Sequence, residues 1–158
     1  MRLGHDRLDL VVLHLNDLPV DEARPLFDAP EREVSAGRVG AMGWSTDFPA
    51  SARALSSRDA FVAVQHAMNV FFSAPDLLPV LEEHALVSFA RSPLAMGLLT
   101  GKYGASSRLA TDDVRSNTLG WMSWFERGRV APRHLARLEA VRECLQEDGR
   151  TLARGALA

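Results

Sequence analysis

The sequence predicts an α/β fold built on a parallel sheet, and three observations carry that expectation. Four short apolar runs, residues 8–14, 39–45, 61–70 and 86–90, recur at intervals of about 20–30 residues. Each is rich in Val, Leu, Ala or Phe and too short for a free-standing helix, as expected of strands buried on both faces. The stretches between them have helical spacing, the alternation of βαβ units with right-handed crossovers.

Taken in order, the run 8–14 (LDLVVLH) is the first strand. Residues 21–37 follow, with charged and apolar residues at mixed spacing; Pro25 and Pro30 predict an irregular or late-starting helix, and Gly37 its stop. The second strand, 39–45 (VGAMGWS), carries glycines where another backbone comes near. A short helix is expected over 50–57, and a third strand over 61–70 running into a loop. A compact helix over 75–85 places Asp76 near its start and Leu77, Leu78 and Leu81 on its apolar stripe. The fourth strand is 86–90 (LVSFA).

Residues 103–131 then form a long polar and aromatic loop, with Ser106, Ser107, Asp112, Asp113, Asn117, Gly120, Trp121 and Trp124. Loops of this length in compact domains are functional lids or disordered. Trp121, Trp124 and Phe125 either wall a substrate mouth or pack the loop, and Met96 is expected in packing. From Pro132 a helix carries Leu135, Leu138, Val141 and Leu145 at helical spacing; Gly149 breaks it and Thr151 caps a last helix.

The 158 residues are 47% apolar and 24% charged, the composition and length of one globular domain. A net charge of −2 gives no electrostatic footprint for nucleic acid or an anionic membrane. No apolar run reaches the roughly 20 residues of a transmembrane helix, and no signal-peptide pattern is seen, so a cytoplasmic location is expected. The single cysteine, Cys144, forms no internal disulfide, and Glu143 and Glu147 beside it disfavour a thiolate. The histidines do not fall into metal-ligand spacing, so no metal site is expected.

Polar residues follow each apolar run: His14, Ser45-Thr46, Gln65-His66 and Arg91-Ser92. In a parallel fold these ends lie together, so they read as a ring of hydrogen-bonding groups around one mouth. Beyond the last strand, residues 91–103 (RSPLAMGLLTGKY) place a Pro, two glycines and a hydroxyl in a strand-to-helix connection, which suits close approach of backbone to a ligand phosphate.

That last segment resembles the loop after the seventh strand of aldo-keto reductases, (β/α)8 barrels that use NAD(P)H to reduce carbonyls. Several other segments are similar to the same family in the same order. Residues 8–14 resemble its fourth strand, whose terminal His orients the substrate carbonyl; here that is His14. Residues 37–45 resemble the approach to strand five, where a Ser-Asn pair holds the nicotinamide carboxamide; here the pair is Ser45-Thr46. Val62-Ala63-Val64-Gln65 with Asn69 resembles strand six, whose Gln contacts the same carboxamide. On strand seven Arg91 replaces the family's usual stacking Tyr, and an Arg lies flat against a ring or pairs with a phosphate. Ser92 is the next nicotinamide-side residue, while Leu94, Gly97, Leu98, Thr100 and Lys102 correspond to the pyrophosphate-side loop. Residues 137–158 resemble the helix before the last strand.

The resemblance therefore implies a single domain over 1–158: a partial (β/α)8 TIM-type barrel with about four parallel strands and outer helices. A whole barrel takes about 250 residues. The family's general acid Tyr and its supporting Lys and Asp, supplied by strands one to three, have no counterparts, since Tyr103 and Lys102 belong to the loop after strand seven. The adenosine-binding end lies past Ala158. The expected function is an NAD(P)H-dependent carbonyl or aldehyde oxidoreductase, inactive or incomplete as this chain alone, with weak or absent NADP(H) binding. Two alternatives stand beside it. One is a non-redox isomerase or dehydratase using His14 as acid-base, and the other a catalytically retired interaction module. Four strands of a barrel leave two open edges and an apolar face, so a homodimer or a partner chain completing the barrel is also expected.

Overall fold

A computed structural model describes residues 4–117 and 123–158. It divides into two compact units: Met1–Met68 with Phe72–Arg91, and Asn69–Phe71 with Ser92–Ala158.

The first unit is a four-stranded sheet in the order β1 (Leu8–Leu13), β2 (Val39–Ser45), β3 (Phe61–Ala67), β4 (Val87–Arg91). All three pairings are parallel, with Leu13 opposite Trp44, Ser45 opposite Gln65 and Gln65 opposite Phe89. The chain therefore builds part of a (β/α)8 barrel, four adjacent strands connected through helices. Helices α1 (Val20–Leu26) and α2 (Asp28–Ser35) make the first crossover, α3 (Pro49–Leu55) the second and α4 (Leu78–Glu83) the third.

The irregular first helix is two short ones meeting at Phe27. Pro25 has no N–H to continue the ladder and ends α1, while Pro30 sits in the first turn of α2, where no N–H is needed. The junction turns Phe27 inward, 5.7 Å from the Trp44 ring and 5.8 Å from that of Phe61. Gly37, at φ +73°, closes α2 by donating to the Val34 carbonyl, as expected of a helix stop. Helix α4 is shorter than the expected 75–85. Pro79 fits only its first turn, residues 74–77 make a separate turn onto the Ala74 carbonyl, and Ala85 at φ +52° stops it. Strand β3 ends at Ala67 rather than at residue 70.

Alternation along the strands assigns the two faces of the sheet. Met42, Trp44 and Val64 pack with Ala23, Phe27, Ala52, Leu55, Leu77, Val80 and Leu81 of the crossovers in one buried core. The opposite face carries Gly43, Ser45, Ala63, Gln65, Val87 and Phe89, small in the middle of the sheet and large at its β4 edge. There Val87 and Phe89 stay 51% and 44% exposed. His66 belongs to the helix-covered face: it is fully buried, with Nε2 2.7 Å from Ser88 Oγ on β4. It therefore stands apart from the polar ring in which the sequence places it beside Gln65, because adjacent strand residues point opposite ways.

In the second unit, residues 103–117 and 123–131 are more ordered than the sequence suggests. Residues Phe125–Glu126 (β5) and Arg129–Val130 (β6) form an antiparallel hairpin, with Arg127 and Gly128 both at positive φ as a type I′ turn needs. Arg115 holds the stretch together. It pairs with Asp113 at 2.5 Å, donates to the Met96 carbonyl at 3.0 Å, and lies over the Tyr103 and Phe125 rings. Hydrogen bonds from Arg115 pull the Asp113 carboxyl down to about 2. Trp124 packs, with its ring centroid 4.6 Å from that of His134 and 5.8 Å from that of Phe71. Gly120 and Trp121 lie outside the described residues. Helix α5 (Pro132–Leu145) buries Leu138, packs Leu135 and Leu145 against the same cluster, and buries His134, which the apolar stripe did not include. Thr151 caps α6 (Leu152–Leu157) by accepting from the Arg154 N–H.

A Cβ built on Gly43 would lie 2.6 Å from the Ala63 carbonyl oxygen, a backbone atom that cannot step aside without breaking the β2–β3 pairing. Gly43→Ala is expected to cost about 1–3 kcal/mol in urea unfolding. Gly104→Ala, where nothing lies within 4 Å, should stay within about 0.5 kcal/mol of the parent.

Candidate active site

The polar groups of the first unit gather beyond the C-terminal ends of its strands. Ser45, the last residue of β2, is 1% exposed, and its Oγ has no hydrogen-bond partner among the described residues. Gln65 is its ladder neighbour on the same face. Leaving a buried hydroxyl unpaired costs about 1–3 kcal/mol, so such a group marks a place where another molecule's polar atom fits. Thr46 is committed differently: its fully buried hydroxyl donates to the Asn16 carbonyl at 2.8 Å and accepts from the Phe48 N–H. His14 lies just past β1, exposed.

Arg91 is tied down from the turns after β1 and β2. Its Nη2 donates to Asp47 Oδ2 at 2.6 Å and reaches Asn16 Oδ1 at 3.4 Å. Asp47 Oδ1 accepts from the Ala67 N–H at 2.7 Å, and Asn16 Oδ1 accepts from the Asp47 N–H at 2.9 Å. Arg91 Nε is buried with no partner among the described residues. The sequence pointed to neither Asn16 nor Asp47. They lie two residues beyond His14 and Ser45, and the polar run Ser45-Thr46-Asp47 is a signal for Asp47, whereas Leu15 interrupts any such run before Asn16.

In the second unit, Ser92 (φ +56°), Ala95, Met96 and Gly97 all hold positive φ, so the segment after β4 folds into tight consecutive turns ending in the 3-10 helix Ala95–Thr100. Asn69 Nδ2 donates to the Ser92 carbonyl, and the Leu94 carbonyl accepts from the Gly97 and Leu99 N–H groups. A Cβ on Gly97 would sit 3.2 Å from Arg115 Nη1 and 3.3 Å from the Tyr103 ring, and its φ of +95° alone selects glycine. Thr100 Oγ1 donates to the Gly97 carbonyl and accepts from the Lys102 N–H, so it braces the loop. Lys102 Nζ is exposed and lies 5.6 Å from the Tyr103 ring centroid.

A groove of about 600 Å³ lies at the other end of the first unit's sheet, lined by Leu8, Val39, Pro30 and Arg38 among others. It adjoins the starts of β1 and β2, away from the polar cluster, and in α/β barrels chemistry belongs to the opposite face. Among the described residues no group of three or more His, Cys, Asp or Glu side chains is placed to hold a metal, and no helix is long and apolar enough to cross a membrane.

Parallel strands joined by outer helices, with polar residues at the strands' C-terminal ends, define a (β/α)8-type scaffold. The chain belongs to the aldo/keto reductase family, whose model matches residues 1–158. It is 32% identical over 104 residues to an uncharacterized oxidoreductase, YqkF, of Bacillus subtilis, covering 64% of this chain and 33% of that one. Its fold is similar to that of the glycerol dehydrogenase AKR11B4 of Gluconobacter oxydans, with TM-score 0.70 and 28% identity over 96% of this chain and 45% of that chain. An aldo-keto reductase of Klebsiella pneumoniae in complex with NADPH superposes with TM-score 0.51 and 29% identity, over 61% of this chain and 35% of that one. The chain thus spans less than half the length of each of these relatives.

His134 gives this region a pH dependence. Burial, then the nearby Arg133 and Arg137 charges, push its imidazole below the usual value of 6.5, and Arg133 Nε donates to its Nε2. The unfolded chain therefore takes up a proton more readily than the folded one. The stabilisation is complete above about pH 6.5 and is lost as pH falls through the folded pKa. Urea unfolding between about pH 7.5 and 5 should show this loss, and His134→Gln should flatten it. Equal slopes for the two proteins would refute the assignment.

Proposed function

We propose that residues 1–158 are the part of an NAD(P)H-dependent carbonyl oxidoreductase that takes the nicotinamide end of the cofactor and orients the carbonyl. The observation that carries this is Ser45 Oγ, buried and unpaired beside Gln65 on one face. A hydroxyl and a primary amide together offer both donors and acceptors, the complement of a carboxamide. When bound, the cofactor supplies a hydride equivalent to the carbonyl carbon.

The chain's own residues bind and orient. Ser45 and Gln65 would fix the carboxamide and so the presented face of the ring, and Thr46 would act indirectly by holding the Asn16 carbonyl. His14 would donate a hydrogen bond to the carbonyl oxygen and favour its polarised form. In the second unit, the turns carrying Ser92, Leu94, Gly97, Thr100 and Lys102 would serve the pyrophosphate side, with Lys102 as the exposed cation. The substrate is a small carbonyl compound.

No Tyr with a neighbouring Lys and Asp stands at the strand ends of these residues to donate the proton that reduction requires. A positioned general acid contributes about 10²–10⁴ in rate. Residues 1–158 alone are therefore expected to reduce aldehydes with NADPH at no ordinary enzymatic rate. NADPH binding, followed by its fluorescence, should weaken about tenfold in Gln65→Ala and in Ser45→Ala, the loss of one hydrogen bond. Turnover at an ordinary rate that His14→Ala abolishes would overturn the proposal of incompleteness. Affinity unchanged in Gln65→Ala would overturn the assignment of the site.

A further inference from the structure

The geometry points to Asp47 as a specificity-determining residue that neutralises Arg91 and closes the strand-end site to anionic ligands. A lone arginine at the mouth of a polar site is an anion receptor, since its planar fork matches carboxylate and phosphate. Here one arm of the fork, Nη2, is already taken by an internal carboxylate. Arg91 lies at the end of β4, Asp47 two residues beyond β2, and the 2.6 Å ion pair between them passes the end of β3 at Ala67. Register explains the crossing: Arg91 is the ladder partner of Ala67, whose methyl group leaves the guanidinium room to reach across.

The carboxylate is itself fixed, because Asp47 Oδ1 takes the Ala67 N–H and the Asp47 N–H is held by Asn16 Oδ1. Both side chains are only 28% exposed, so water and salt screen the pair less than a surface one. With the Arg91 charge balanced by Asp47, what is left open at this point is polar and uncharged overall: Ser45 Oγ, the Gln65 amide and the Arg91 Nε–H, which has no partner among the described residues. Such a site takes a neutral, hydrogen-bonding group and rejects a carboxylate, which would meet the Asp47 charge. Of the two roles open to an arginine here, pairing with a phosphate and lying against a neutral ring, the second is the one Asp47 permits. The substrate class narrows accordingly to neutral aldehydes and ketones, with 2-oxo acids excluded. This narrowing rests on the proposed carbonyl-reducing function; the exclusion of anions does not.

The test uses oxalate as an anionic probe and oxamide as its neutral isostere, titrated calorimetrically into the whole chain without cofactor. The parent and Asp47→Glu should show no oxalate binding, whereas Asp47→Asn should gain at least tenfold in oxalate affinity. Adding Arg91→Gln to Asp47→Asn should remove the gain, and oxamide should not distinguish the variants. A folded Asp47→Asn protein with no gain, or a parent that binds oxalate as tightly as Asp47→Asn, overturns the inference. Should Asp47→Asn fail to fold, the parent decides through its Arg91 Nε–H resonance, identified by its loss in Arg91→Lys. Oxalate must leave that signal unmoved, and a shift overturns the inference. Oxalate gained by Asp47→Asn in a chain that binds no NADPH would sink the cofactor assignment and leave the role of Asp47 standing.

Discussion

Because β1 to β4 all run the same way, every turn that follows a strand emerges at the same end of the sheet, and the candidate site depends on that constraint. His14, Asn16, Ser45, Asp47, Gln65 and Arg91 span more than seventy residues of sequence, yet the parallel register lines them up. The register in turn depends on close packing of backbone at the sheet centre. Gly43 lets β2 approach β3, and the pairing shifts between Met42 and Gly43 before settling into the alignment that sets Ser45 opposite Gln65. A side chain at Gly43 would press on the Ala63 carbonyl, two pleat positions from the polar groups, so packing and site geometry are one problem.

The polar groups at the strand ends divide into those the protein satisfies and those it leaves open. Thr46, Asn16 and Asp47 are satisfied by one another and by backbone, and they stitch the turns after β1 and β2 to the end of β3. Satisfied buried networks of this kind rigidify their surroundings. Ser45 Oγ and Arg91 Nε have no partner among the described residues, although they lie beside that network. The ion pair of Arg91 with Asp47 joins strands that do not pair directly. Its part-buried position makes removal of one partner more costly than loss of a surface salt bridge.

Much of this was legible in the sequence because strand signals are local. Val39–Ser45 is a strand over just the residues its apolar run marks, and the other three begin or end within three residues of their runs. Gly37 and Thr151 act as the helix punctuation that their chemistry suggests, whereas α5 already stops at Leu145 and Gly149 closes a separate 3-10 turn, Glu147–Gly149. What was not legible depends on partners far away in the chain. The Arg127-Gly128 turn carries no strong hairpin signature, so the β5–β6 hairpin is visible only once Arg115 and the Tyr103 and Phe125 rings assemble around it. Asp47 looks like any solvated turn residue until β4 brings Arg91 to it, and His134 sits in a helix whose apolar stripe gives no hint that a ring nitrogen is buried.

The split between His66 and Gln65 shows how little separates a structural polar residue from a candidate ligand contact. Both follow the same apolar run, and one residue of strand period sends them to opposite faces. His66 meets Ser88 on the helix-covered face, where its hydrogen bond crosses from β3 to β4 and helps hold those strands in register. Gln65 meets Ser45 on the other face, where the hydroxyl has no partner among the described residues. If Ser45 served only stability, an alanine in its place would fill nearly the same small space without an unpaired hydroxyl. Keeping a serine there sacrifices stability on the order of 1–3 kcal/mol. A polar ligand atom bound there would recover that loss, and would tie ligand affinity to the register that Gly43 and the His66–Ser88 bond maintain.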